Sequence, residues 1–197
     1  MRETLIDPQG TCPSCAIVGP LRDHAEANRL RANFAAERNI AIEIAGRVIA
    51  FEPTPSTFAI LAENARRSNR IEPINQAASD ASGEIEIADF GLKYSAWNTL
   101  AAESRMPGVL SANAVKHLKV QAVRLDAYAR ARGLTPDFIK IDAENFEHAV
   151  VAGLQGLLEA AQPVVLLESG SDSALAAGRQ FETSGYRAFV SDGPGSL

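Results

Sequence analysis

The stretch PDFIKIDAENFEHAVVAGLQGLLEAAQPVVLLES, residues 136–169, narrows the fold of this chain more than any other part of it. FIKID and VVLLE are short apolar, β-branched runs of strand length. Between them Phe146, Val150, Leu154 and Leu157 recur at helical spacing. The segment therefore reads as strand (Phe138 to Asp142), helix (about Phe146 to Ala160) and strand (Val164 to Glu168). Two strands joined through a helix lie parallel, because a tight turn can only join antiparallel neighbours. GRVIAFEPTPSTFAILAEN, residues 46–64, repeats the order: a strand over Arg47 to Phe51, Glu52 at its carboxyl end, and a helix opened by Thr54 and Pro55. Such alternation predicts an α/β fold with a largely parallel sheet and helices on both faces.

The rest of the chain fits this plan less tightly. Residues 1–19 hold Pro8, Gly10, Pro13 and Gly19 and are expected to form an irregular arm, with a single α/β domain over 20–197. Residues 20–39 are rich in Ala, Leu, Arg and Glu, as in a helix. IAIEIAGRVIAF holds one or two strands. The helix after Glu52 is expected to reach Ser68, with Phe58, Leu61 and Ala65 toward the sheet. IEPINQAAS (71–79) reads as one short strand, placed at an edge by Pro73, and GEIEIAD (83–89) as a half-exposed strand. Residues 90–118 show no period and resemble a lid or binding loop more than a connector. KVQAVRLDAYARARG returns to strand and short helix, and a last helix and strand follow, with Gly185 at the helix stop.

Composition sets limits on partners. With 197 residues, 46% of them apolar and a net charge of −5, the chain can bury a full core and offers no basic footprint for nucleic acid or an anionic membrane. No apolar run has the length of a bilayer span, and the first residues lack the form of a signal peptide, so a cytoplasmic protein is expected. The two cysteines, Cys12 and Cys15, form a C-x-x-C. His24 is the one further soft ligand nearby, short of a zinc set, and Pro, Ser and Gly surround the pair where a redox motif would open a helix.

Three predicted strands end in an acid: Glu52, Asp142 and Glu168. Ligands of open parallel sheets bind beyond the carboxyl ends of the strands, so neighbouring strands that end this way mark a rim for binding. Lys140 and Asp142, two apart on one strand, point to the same face. A strand covered on both sides would bury Lys140, which calls for a carboxylate partner. Such a pair serves packing alone, or Lys140 orients Asp142 or Glu168 at a site. At Glu52, a carboxylate can accept from both hydroxyls of a ribose, and Pro53 stops the strand so that the acid sits at the rim.

The blocks AFEPTPSTFAILAENARRSN, INQAASDASGEIEI, VRLDAY and FIKIDAENFEHAV…VVLLE resemble, in order and spacing, the FkbM-like S-adenosylmethionine-dependent methyltransferases, over roughly residues 46 to 190. The resemblance implies a Rossmann-like class I methyltransferase sheet and methyl transfer to a hydroxyl of a sugar or small metabolite. S-adenosylmethionine is the implied cofactor. It further implies that Glu52, with Pro53, holds the cofactor ribose and that Ala78, Ser79 and Asp80 lie along the adenine. Asp142 would sit near the methionine end or the acceptor, with Glu144 and Glu147 at the start of the next helix. Two departures stand out. Asn145 occupies a position where the family has glycine, and the glycine-rich loop after a first strand is missing or remodelled. LIDPQG is spoiled by Pro8, and NIAIEIAGRV leaves no room for a loop and helix. GPGSL is also too short for a closing antiparallel strand, so the sheet is expected to be incomplete at its first and last strands.

For the reaction, Asp142, Glu144 and Lys140 are the candidate catalytic residues, with Asp142 preferred as base over Glu147 and His148. Nothing in the spacing requires a metal. The expected partner is a small-molecule or glycan hydroxyl acceptor; Trp97 could stack on a sugar face, and an unpaired sheet edge allows a homo-oligomer. The competing readings are a methyltransferase-like domain without turnover, acting as a binding or assembly module, and a nicotinamide-linked oxidoreductase, which lacks its G-x-G-x-x-G.

Overall fold

The computed structural model describes residues 16–19, 47–90, 115–168 and 171–190. In chain order the elements are β1 (Ala16–Gly19), β2 (Val48–Phe51), α1 (Pro55–Ala65), β3 (Ile71–Ile74), β4 (Ala77–Ala78), β5 (Gly83–Asp89) and β6 (Lys116–Val123), then α2 (Leu125–Arg132), β7 (Phe138–Ile141), α3 (Glu147–Ala152), α4 (Gln155–Ala161), β8 (Val164–Leu167), α5 (Asp172–Thr183) and β9 (Arg187–Val190). The strands form a four-stranded sheet in the order β7-β8-β1-β9, a two-stranded sheet β2-β3, and a three-stranded sheet β4-β6-β5.

The strand–helix–strand units pair as the sequence predicts. β7 runs parallel to β8, with Ile141 opposite Leu167, and β2 runs parallel to β3, with Phe51 opposite Ile74. The expectation of one largely parallel sheet is corrected among the described residues: of the six pairings, β4–β6 is the third parallel one, while β5–β6, β1–β8 and β1–β9 are antiparallel. At β5–β6 charged side chains line the pair. The antiparallel register sets Glu86 opposite Lys119, and two diagonal contacts cross the pair, an ion pair from Lys119 to Glu84 and a bond from His117 to Glu86. Residues 116–118, expected to belong to the aperiodic stretch, are part of β6.

The last four residues of the 1–19 arm form β1, which lies between β8 and β9, with Ala16 opposite both Leu167 and Val190. The rest of the arm, including Cys12 and Cys15, lies outside the described residues. So do the predicted helix over 20–39, the segment 40–46 and the 91–114 stretch with Trp97. IEPINQAAS divides into β3 and β4, which join different sheets. α1 ends at Ala65, not Ser68; Ala65 is buried, while Phe58 and Leu61 are only partly covered.

The predicted helix over 146–160 is two helices, α3 and α4, meeting at Gly153 and Leu154. Both still turn one apolar face inward: Val150, Val151, Leu154, Leu157 and Leu158 pack with Ile141, Val165, Leu167, Ala177 and Phe181 in the main core. Leu154 and Phe181 are fully enclosed. Each such side chain contributes roughly 1.5–3 kcal/mol by burial. The break has a tertiary cause. A Cβ at Gly153 would run into the Ser79 carbonyl oxygen, so only glycine lets this corner meet the end of β4. The β2–β3 pair is tied to α2 by Phe51, whose ring meets Tyr128 edge-on at 5.1 Å, and by Arg132, which bonds Glu72 and lies over the Tyr128 ring. These contacts fix the strand that carries Glu52.

Candidate functional site

Asp142 and Glu168 follow the last residues of β7 and β8, two neighbouring parallel strands, so their side chains meet at one rim. The Glu168 backbone N–H donates to the Ile141 carbonyl at 3.0 Å, which fixes the two strand ends in register. The side chains share a hydrogen bond. Lys140 donates to Asp142 Oδ2 at 2.8 Å, as their common face requires. Asp142, Glu144 and Glu168 each bring a carboxylate oxygen to within 4.8 Å of the others, a spacing that a divalent cation could bridge.

Two acids this close resist ionising together. Burial pushes the Glu168 carboxyl up, its bond to Asp142 and the charges of Asp142, Glu144 and Glu147 push it further, and it reaches about 7. Burial works against the Asp142 charge too, but the bonds from Glu168 and Lys140 outweigh it and hold Asp142 below the usual carboxylate range. At neutral pH Asp142 is thus the ionised partner and Glu168 the one on the point of losing its proton.

The expected burial of Lys140 is corrected. Its side chain is 55% exposed and that of Asp142 40%, since β7 pairs only with β8 among the described residues. At this exposure the ion pair itself is worth about 0–1 kcal/mol. Its value lies in setting the charge of Asp142.

The turn between β7 and α3 aims Glu144 into this group. Glu144 and Asn145 both hold left-handed backbone angles, φ 45° and 74°. Asparagine enters that region more easily than most residues, which accounts for its standing where the family has glycine. The turn is held from below by Glu147. Its buried carboxylate accepts from the Asn145 backbone N–H at 3.0 Å and from the Ser171 hydroxyl at 3.1 Å. His148 is engaged with Ser173, whose hydroxyl accepts from the His148 backbone N–H and bonds its ring Nδ1.

Glu52 stands apart in its contacts, at the end of β2. Thr54 fixes its carboxylate, with the backbone N–H donating to Oε1 at 2.7 Å and the hydroxyl bonding as well, and Asn75 donates to the carbonyls of Glu52 and Pro53. Burial raises the Glu52 carboxyl, Thr54 opposes this, and the charge of Asp89 adds to the rise. The end of β5, where Asp89 is buried, therefore comes close to Glu52.

The third group of predicted residues follows β4. Ala78 ends that strand, Ser79 is buried with its N–H on the Val123 carbonyl, and its hydroxyl donates to Asp80 Oδ1 at 3.0 Å. The structure thus brings Lys140, Asp142 and Glu144 together with Glu168. Glu52 with Pro53, and Ala78 with Ser79 and Asp80, form two further groups held by other neighbours. Glu168 was expected at the rim as a strand-end acid but given no catalytic or cofactor role, and Asp89 was not expected there at all. The strand end VVLLE marks the first; nothing local marks the second, which ends a strand with no ligand motif.

Among the described residues, no helix is long and apolar enough to cross a membrane. Comparison with curated proteins and with solved structures returns no match. The family model described as "Methyltransferase FkbM domain" matches residues 25–187, most of the chain and all of the groups just described, and by that match the protein belongs to the FkbM methyltransferase family.

Proposed function

We propose that the protein is an S-adenosylmethionine-dependent methyltransferase with a Rossmann-like arrangement of its strands, acting on a hydroxyl of a sugar or small metabolite. The carrying observation is the Asp142–Glu168 pair, two hydrogen-bonded acids at the ends of adjacent parallel strands inside a methyltransferase domain. Residues that fit the cofactor are present at its ribose end: Glu52 is a carboxylate already pinned by Thr54 at a strand terminus, which leaves it little freedom to lose on binding. S-adenosylmethionine, the donor this family generally uses, would supply the electrophilic methyl group. Glu52 and Pro53 would hold the ribose, and Ala78, Ser79 and Asp80 the base.

The chain's own task is then to orient the acceptor hydroxyl and take its proton. Asp142, kept ionised by Lys140 and Glu168, accepts a hydrogen bond from that hydroxyl and aligns it. Glu168, poised about 7, is already ionised in a large share of molecules at neutral pH, and in those the acceptor's proton passes to the pair and comes to rest on Glu168 as the oxygen attacks. Glu144, aimed into the same rim by its left-handed turn, adds negative charge that keeps the proton on the pair.

Titration calorimetry with S-adenosylhomocysteine on the full chain tests the reading, followed by methyl transfer from labelled donor to a panel of sugar and metabolite hydroxyls. Glu52→Ala should weaken cofactor binding at least about tenfold, as expected for two lost charge-assisted hydrogen bonds. Folded protein that binds neither donor nor product removes the transferase assignment.

A further inference from the structure

We infer that Arg124 is a positioning residue: clamped by Asp126, its guanidinium sets the shape of the 79–82 turn. The turn's part in holding a nucleoside base rests on the function proposed above; the clamp does not. VRLDAY supplies both residues at the junction of β6 and α2. Arg124 donates through Nε to Asp126 Oδ1 at 3.1 Å and through Nη2 to Asp126 Oδ2 at 2.7 Å, a two-pronged pair that fixes the plane of the guanidinium. The remaining nitrogen, Nη1, donates to the Asp80 carbonyl at 2.9 Å, and the Arg124 backbone N–H donates to Ser82 Oγ at 3.2 Å. One residue thereby grips the turn at two points.

The anchor is itself rigid. Asp126 is buried, its carboxylate accepts from the Ala127 N–H, and its own N–H donates to the Gly153 carbonyl at 3.0 Å. Gly153 also admits the Ser79 carbonyl to the α3–α4 corner. Three elements therefore converge on four residues: the end of β6, the start of α2 and the corner between the two helices of the core. Capping of α2 would explain Asp126 alone. It does not explain why Arg124 reaches across to the Asp80 carbonyl, an exposed turn group that water would satisfy without cost. A lysine cannot replace this geometry, since one ammonium lacks the planar fork that serves carboxylate and carbonyl together.

The test compares wild type with Arg124→Lys and Arg124→Gln in the full chain, first confirming folding by circular dichroism. Hydrogen exchange should rise at least about fivefold in the peptide spanning 79–82 while that of β5 stays unchanged. Affinity for S-adenosylhomocysteine should fall about tenfold in both variants, whereas S-ribosylhomocysteine, which lacks the base, should bind all three proteins equally. Unchanged exchange overturns the clamp. An equal loss for the two compounds overturns its role at the base, because general loosening would weaken both. Wild type that binds neither compound removes the transferase reading and the ligand half of this inference, while the exchange comparison still decides whether Arg124 shapes the turn.

Discussion

Replacing Glu168 by glutamine isolates the Glu168 proton. Glutamine has nearly the shape of the protonated acid, and its amide donates to Asp142 at every pH, so the hydrogen bond is kept and the titration removed. In wild type Glu168 holds its proton to about 7 against an ordinary 4.5. Between those values the folded chain binds more protons than the unfolded one. The stabilising contribution is therefore complete below about 4.5 and is lost progressively as pH rises to about 7. The unscreened limit of that loss is about 3 kcal/mol, and water at this partly exposed rim reduces it to ~1 kcal/mol. Urea unfolding of wild type and Glu168→Gln at intervals from pH 5 to 8 measures it. The two stabilities should agree near pH 5 and separate above it, with the glutamine variant the more stable at pH 8. Asp142 contributes in a different window, since its lowered value adds stability that is lost only as pH falls below the ordinary carboxylate range. Asp142→Asn should shrink the wild-type slope without abolishing it, because burial is the larger cause of the Glu168 shift. Parallel curves for wild type and Glu168→Gln would refute the raised proton affinity of Glu168.

Asn145→Gly should be neutral or slightly stabilising, and Asn145→Val should cost about 1–2 kcal/mol in urea unfolding, since a β-branched residue resists the left-handed angle found there. Gly153→Ala should lower the unfolding free energy by about 1–3 kcal/mol, because the new methyl meets the Ser79 carbonyl rather than a yielding side chain.

What could be read from the residues alone follows from how local each signal is. FIKID and VVLLE announce parallel strands because apolar runs bracket a helix-periodic stretch, and the pairing of Asp142 with Lys140 follows from strand alternation. The exposure of Lys140 could not be read, since it depends on which strand, if any, lies beside β7. The break at Gly153 is equally silent: Val150, Leu154 and Leu157 keep helical spacing across it, and its cause sits 74 positions away at Ser79. β4 has two residues and no period to detect. The start of β6 hides because Lys116 and His117 are polar, and the partner of His117 is Glu86 across the pair. Glu168 was visible as a strand-end acid, but its proton affinity arises first from burial and then from Asp142, Glu144 and Glu147, which only the folded rim brings close.

The placement of β1 bears on how the molecule assembles. Both edges it fills belong to strands far along the chain, at Leu167 and Val190, so its bonds close loops of well over a hundred residues. Ordering so long a loop is entropically demanding and slow, while β7, α3, α4 and β8 can gather from near neighbours. The rim that bears Asp142 and Glu168 can therefore take shape early, and the insertion of β1 between β8 and β9 becomes the late event that seals the sheet. Until then two strand edges lie open side by side, and a second chain in the same half-finished state offers each of them a partner.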